Sequence, residues 1–326
     1  MIRRLSRLTL ATGAAVAAMA AAPAVPLGAV PAQASTGNLF ASVSLSGTLV
    51  AGSGVSGVTH LGTGRYEVSF AAGVAGCAYV ATTVSARSQA LQVFTAGGHL
   101  GAGGVYVETK NQGGGLTDGP FNLAVDCGAP GWDYAVVGYG ASLVRATPGT
   151  TLAHPGAGRY DVTVPASVRD CAYLATVGDP RNNLVASPAG VSTGSGPGSR
   201  TVYIETKNPG GGLSNGIPFH LAVICPAAAR TKIAVVGATG IPARASALTS
   251  SFSPSTGQYT LVTSRALAAC AAIATRGSAG TSVPSGPATV EITGGPAANT
   301  TGIQVRTLLF FGGDPASESF HAAMIC

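Results

Sequence analysis

The chain has 326 residues, 46% of them hydrophobic, 9% charged and 6% aromatic, with 47 glycines, 20 prolines and six cysteines. So few charges and a mean hydropathy of +0.37 exclude a highly charged, disordered chain. Glycine without a strict three-residue period excludes collagen, and three lysines are too few for a heptad coiled coil.

The first element is Met1-Ile2-Arg3-Arg4-Leu5-Ser6-Arg7, followed by an apolar stretch from Leu8 to Ala22 and the small-residue site Ala32-Gln33-Ala34. This order of basic, apolar and A-x-A segments predicts a secretory signal peptide over 1–34, cut after Ala34. The apolar segment is short and alanine-rich, and prolines 23, 26 and 31 follow it, which fits a membrane anchor poorly. Ser6-Arg7 breaks the twin-arginine pattern, so Sec export is expected. Cleavage leaves 326 − 34 = 292 residues and a net charge of (18 − 3) − 12 = +3. The basic residues are scattered singly, which argues against a nucleic-acid partner. No later segment approaches 18 unbroken apolar residues, so a secreted, extracellular product with no transmembrane anchor is expected.

Beyond the leader, one unit is written three times. Phe40-Ala-Ser-Val43 recurs as Tyr134-Ala-Val-Val137 and Ile233-Ala-Val-Val236. Gly64-Arg-Tyr-Glu-Val68 recurs as Gly158-Arg-Tyr-Asp-Val162 and Gly257-Gln-Tyr-Thr-Leu261. Cys77-Ala-Tyr-Val-Ala-Thr82 becomes Cys171-Ala-Tyr-Leu-Ala-Thr176 and Cys270-Ala-Ala-Ile-Ala-Thr275. Phe121-Asn-Leu-Ala-Val-Asp-Cys127 becomes Phe219-His-Leu-Ala-Val-Ile-Cys225 and Phe320-His-Ala-Ala-Met-Ile-Cys326. The tyrosine offsets, 160 − 66 = 94 and 259 − 160 = 99, are whole-domain lengths. They place repeats at 35–127, 133–225 and 232–326, the last divergent. The joints Gly128–Trp132 and Pro226–Thr231 are short, which predicts three beads in a row with limited hinge freedom.

Each unit reads as strands separated by glycine-rich turns. Alternation in GRYEVSF puts Tyr66, Val68 and Phe70 on one face, and FNLAVDC turns Phe121, Leu123, Val125 and Cys127 inward. At least five strands per unit predict an all-β chain of three tandem antiparallel β-sandwich domains, jelly-roll or Ig-like. Six cysteines allow 15 pairings, and the repeat selects Cys77–Cys127, Cys171–Cys225 and Cys270–Cys326, one disulfide per domain. Each closes a loop worth roughly 4 kcal/mol in the chain-entropy model. No C-x-x-C or paired-histidine spacing supports zinc, so neither a metal nor a cofactor is expected.

The polar candidate is the strand V-Y-[VI]-E-T-K-N. Alternation sets Tyr106, Glu108 and Lys110 on one face, and Tyr203, Glu205 and Lys207 on its copy. Such a face reads either as a binding surface for a sugar or peptide, or as a solvated sheet face carrying a Glu–Lys pair. Glu67 with Glu108, and Asp161 with Glu205, form two-carboxylate pairs of glycosidase type if their strands adjoin. The third unit carries Thr260 and Arg306 instead, which speaks against a shared activity. His60 and His154 precede G-x-G-R-Y without a G-x-S-x-G elbow to present a nucleophile. His220 and His321 are expected to point away from the core, and His99 stands in a glycine loop. The K-N-x-G-G-G-L segments at 110–116 and 207–213 lack the G-K-[ST] ending of a phosphate cradle and read as hairpin loops. Asn299-Thr300-Thr301 is an N-glycosylation sequon.

The combination of G-[RQ]-Y-x-V, C-A-Y-x-A-T and F-H-L-A-V-x-C resembles tandem-repeat β proteins exported by high-GC Gram-positive bacteria. The resemblance spans nearly all of the chain after the leader and carries no catalytic residue across. At the level of shape alone the sandwich is also similar to trimeric fibre-head and C1q-like modules. The functional expectation is a secreted, non-enzymatic binding or adhesion protein whose partner is a cell-envelope glycan or surface protein. A carbohydrate-active hydrolase and a self-assembling surface component are the alternatives.

Overall fold

The computed structural model describes residues 38–326 apart from 85–89, 184–187, 227–229, 247, 254–255, 264–266, 268, 286–287, 295–300 and 310–313. The expected leader, 1–34, and Asn299 of the sequon lie outside the described residues. Strands β1 to β8 run Leu39–Val43, Leu49–Ser53, Val55–Gly62, Arg65–Phe70, Ala78–Thr83, Gln92–Gly97, Gly104–Lys110 and Phe121–Asp126. Strands β9 to β16 run Trp132–Gly138, Ser142–Ala146, Thr151–Gly156, Arg159–Thr163, Ala172–Val177, Gly190–Ser195, Thr201–Lys207 and Phe219–Ile224. Strands β17 to β24 run Thr231–Val236, Pro242–Ala245, Leu248–Ser253, Gln258–Thr263, Ala271–Arg276, Ala288–Gly294, Gly302–Leu309 and Phe320–Ile325.

The first eight strands form two four-stranded sheets, ordered β2-β1-β8-β5 and β3-β4-β7-β6, and both later sets repeat these orders. All the pairings within these sheets are antiparallel. The expected alternation holds: Tyr66, Val68, Phe70, Phe121, Leu123 and Val125 meet in the first core. Tyr160, Val162, Phe219, Leu221 and Val223 do so in the second. Disulfides join Cys77–Cys127, Cys171–Cys225 and Cys270–Cys326, one in each sandwich, each tying two neighbouring strands of the same sheet. The recurrent G-[RQ]-Y glycine has a steric cause. Gly64, Gly158 and Gly257 turn with φ of +64°, +63° and +56°, and a Cβ at Gly64 would stand 2.5 Å from the Thr109 carbonyl oxygen.

The sandwiches are not strung in a row. They belong to one compact unit and close a ring around a pseudo-threefold axis. Thr176 Oγ1 accepts the Ala81 N–H (2.8 Å) and donates to the Ala81 carbonyl (3.1 Å). Thr275 does the same to Ala175, and Thr82 to Ala274, so the three contacts run in a cycle. The outer faces of the β5, β13 and β21 sheets meet in an axial core that includes Val80, Leu174 and Ile273, with Ala124, Ala222 and Ala323 behind them. This accounts for the continuous apolar runs of these strands. One face serves the sandwich and the other serves the axis, as in sheets covered on both sides. Trp132, expected in a linker, is buried in that axial core.

Two of the three interfaces share a Tyr–His–Arg interlock. Tyr79 of the first sandwich gives its N–H to His220 Nδ1 (3.0 Å), and the two rings stack at 4.9 Å. Arg145 lies over the same tyrosine and donates to the Cys77 and Pro180 carbonyls. At the next joint Tyr173, His321 and Arg244 repeat these contacts, with Tyr173 N–H on His321 Nδ1 at 3.0 Å. The imidazoles were expected to point away from the sandwich cores, and they do, yet both are fully buried between sandwiches. Each ring passes over a glycine: a Cβ at Gly178 would come 2.9 Å from His220 Cδ2 and 2.5 Å from the Thr95 carbonyl. At Gly277 it would come 2.7 Å from His321 Cδ2. Gly178→Ala is therefore expected to destabilise the ring by about 1–3 kcal/mol through overpacking, measured by thermal unfolding. Gly190→Ala, where a Cβ meets nothing within 4 Å, is the control.

The third interface is built differently. Register places Ala272, Asn122 and Ala51 where the other joints have tyrosine, histidine and arginine. Val84 stands at the Gly178 position and pairs with Ile292, the counterpart of Thr95. Asn122 Nδ2 donates to the Ala272 carbonyl (2.8 Å), and Val84 packs against the third core. Loss of Tyr79's counterpart in the third repeat is thus one half of a matched change whose other half lies in the first. An aliphatic pair fills the joint where rings fill the others.

Candidate functional site

Tyr106, Glu108 and Lys110 do share a face of β7, but it is not a solvated one. Glu108 is only 3% exposed and Lys110 4%. The Tyr106 hydroxyl donates to Glu108 Oε1 (3.0 Å), and Lys110 Nζ is 3.0 Å from Oε2. Lys110 also lies over the Phe94 ring, and His99 stacks on Tyr106 at 4.1 Å while its Nε2 reaches the Asn182 carbonyl of the second sandwich. Tyr203, Glu205 and Lys207 repeat the network, and Lys207 Nζ donates to Pro284 of the third sandwich (2.6 Å). Burial pushes the Tyr106 hydroxyl above its ordinary range and lowers Lys207. The expectation of an open face fails because ring closure lays the next sandwich's loop across it. At the rim of these networks Arg65 and Arg159 have side chains 46% and 51% accessible, and His99 is exposed as well. In the third sandwich Arg306 takes the glutamate's place and faces Glu291 across the register. Burial raises that carboxyl to about 7.

The carboxylate pairs lie on adjoining strands, as the hydrolase alternative requires, since β4 pairs with β7 and β12 with β15. Their lone pairs are already committed to the fold in the first sandwich. Glu67 accepts the His99 and Leu100 N–H groups (both 3.1 Å) and so holds the β6–β7 loop, while Glu108 serves the network above. His60 Nε2 lies 2.9 Å from Asp118 Oδ1, which also accepts the Gly64 N–H. In the second sandwich Asn215 takes the Asp118 role beside His154 (3.1 Å), so an amide serves as well as a carboxylate. That substitution marks a turn clamp rather than a catalytic dyad. Among the described residues no group of His, Cys, Asp and Glu is arranged to hold a metal.

Two features remain on the ring. Each N-x-G-G-G-L segment is a hairpin loop, closed by Asn111 Oδ1 on the Gly115 N–H (3.0 Å) and by Asn208 Oδ1 on the Gly212 N–H (3.1 Å). A threefold rotation keeps these loops at one level of the ring, and their asparagines are exposed. The second feature is an axial cavity of about 80 Å³, lined by six positions from each sandwich. It sits beside the threonine cycle, so Thr82, Thr176 and Thr275 form one ring of its wall. The wall is small or aliphatic except at two levels. Arg276 stands where Thr83 and Val177 stand, and Gln92 where Gly190 and Thr289 stand. Arg276 is paired with Glu318 (2.9 Å), whereas Gln92 Oε1 is buried without a hydrogen-bond partner. Neither the cavity nor the interlocks were visible in single-chain periodicity, because both arise where separate repeats meet.

The arrangement defines a class: an all-β, disulfide-locked chain of three sandwiches closed into a ring. The disulfides fit an oxidising environment, and no helix among the described residues is long and apolar enough to cross a membrane. Comparison with protein-family models, curated proteins and solved structures finds no match.

Proposed function

We propose that the chain is a secreted, non-enzymatic binding protein that contacts cell-envelope glycan or a surface protein through loops at one level of its ring. The observation that carries this reading is the pair of identically clamped hairpin loops, 111–116 and 208–213, related by rotation within one compact unit. Two copies of one loop held at fixed separation make simultaneous engagement an intramolecular event, and avidity then raises apparent affinity by ~10²–10⁴. The buried Tyr–Glu–Lys networks stiffen the frame beneath these loops and do not themselves touch the ligand. The test is binding of the protein to envelope preparations from Gram-positive cells with Asn111→Gly, Asn208→Gly and both. Either single change is expected to weaken binding at least tenfold. Losses of twofold or less for each single variant would reject a bivalent contact, and unaltered binding by the double variant would reject the loops.

A further inference from the structure

From the axial cavity we infer a ligand subsite for the acetamido group of an N-acetylated amino sugar, which rests on the envelope-glycan reading and gives it a chemistry. Gln92 is 7% exposed and lines the cavity, and its Oε1 accepts no hydrogen bond. A buried amide oxygen left this way costs about 1–3 kcal/mol, and Gly190 and Thr289 fill the same strand position in the other sandwiches without it. The missing partner is a donor.

The threonine hydroxyls of the cycle are saturated, each bonded to a neighbouring backbone N–H and carbonyl. Arg276 is neutralised by Glu318, so the site calls for a neutral ligand. A cavity of about 150 Å³ holds one benzene, and 80 Å³ accordingly admits a group of about three to four non-hydrogen atoms. An acetamido group has that size. Its N–H supplies the donor that Gln92 Oε1 lacks, its carbonyl accepts from the Thr289 hydroxyl, and its methyl meets the aliphatic part of the wall.

The experiment is titration of the full chain with N-acetylglucosamine, glucosamine and acetamide, followed by amide and methyl nuclear magnetic resonance. N-acetylglucosamine and acetamide are expected to shift the Gln92 side-chain amide and the Thr289 methyl, and glucosamine to leave them unmoved. Gln92→Thr, the counterpart residue of the third sandwich, is expected to weaken both ligands at least tenfold while the remaining spectrum stays folded. No shift with N-acetylglucosamine, an equal response to glucosamine, or equal binding by Gln92→Thr would overturn the subsite, ordered water then being the occupant. If Gln92→Thr keeps full binding to envelope preparations while Asn111→Gly and Asn208→Gly lose it, the subsite falls and the loop reading stands.

Discussion

Replacing Asp126 by isoleucine is expected to stabilise the protein at neutral pH by on the order of 3 kcal/mol and to leave it nearly unchanged at pH 4. Asp126 ends β8 at the position of Ile224 and Ile325, both of which lie in the axial core. Its Oδ1 accepts the Gly128 N–H (2.8 Å), but Oδ2 is buried with no partner. Burial first, with the charge of Asp133 adding to it, raises this carboxyl to about 7 against the opposing Gly128 bond. The folded pKa lies above the unfolded value, so the unfolded chain ionises first as pH rises. Stability associated with the group is complete below about pH 4 and is lost as pH climbs through 7. Isoleucine removes this loss at the expense of one backbone bond worth about 1 kcal/mol. Denaturant unfolding at pH 4 and 7 measures the difference. A variant less stable than the parent at pH 7 would mean that the carboxylate has a stabilising role the geometry does not reveal.

Asp126 also shows what was legible in the chain. Alternation in FNLAVDC correctly turned Phe121, Leu123 and Val125 into the sandwich, and the matched cysteines fixed all three disulfides. Alternation reports one face at a time, however. The opposite face, with Asn122, Ala124 and Asp126, reads as surface in an isolated sandwich and is interior only because three sandwiches share an axis. The same blindness turned Tyr106, Glu108 and Lys110 into a candidate open face. A signal for the ring was nevertheless present. Ala78-Tyr-Val-Ala-Thr-Thr83 is apolar or small at consecutive positions, a pattern of strands buried on both faces. The paired departures Ala272 with Asn122 look like independent drift in a repeat alignment. They become one event only when register sets them opposite each other. Short edge strands such as β2 and β10 escaped because they are only five residues long and half exposed.

Acid is expected to open the two interlocked joints, and His220→Asn with His321→Asn to flatten that response. The hydrogen bonds fix each ring in its neutral form. Nδ1 accepts the Tyr79 or Tyr173 N–H, which leaves Nε2–H to donate to the Asp179 or Ser278 carbonyl, each at 3.1 Å. A second proton would set an N–H against an N–H. Burial foremost, with Arg145 near His220 and Arg244 near His321 also opposing positive charge, lowers both pKa values to about 3. Here the folded pKa lies below the unfolded one. The contribution is therefore complete above about pH 6.5 and is lost as pH falls toward 3, by on the order of 4 kcal/mol per histidine. Between pH 4 and 6.5 this trend runs opposite to that of Asp126, so the parent's net slope there understates both. In the third joint asparagine gives its Nδ2–H to the Ala272 carbonyl while its Oδ1 accepts nothing, so the change is expected to forfeit both imidazole bonds. The double variant is expected to be less stable at pH 7 by about 2–4 kcal/mol and to show a shallower fall in Tm between pH 6.5 and 4. An undiminished acid slope in the double variant would assign the pH response to other groups and leave the imidazoles as packing alone.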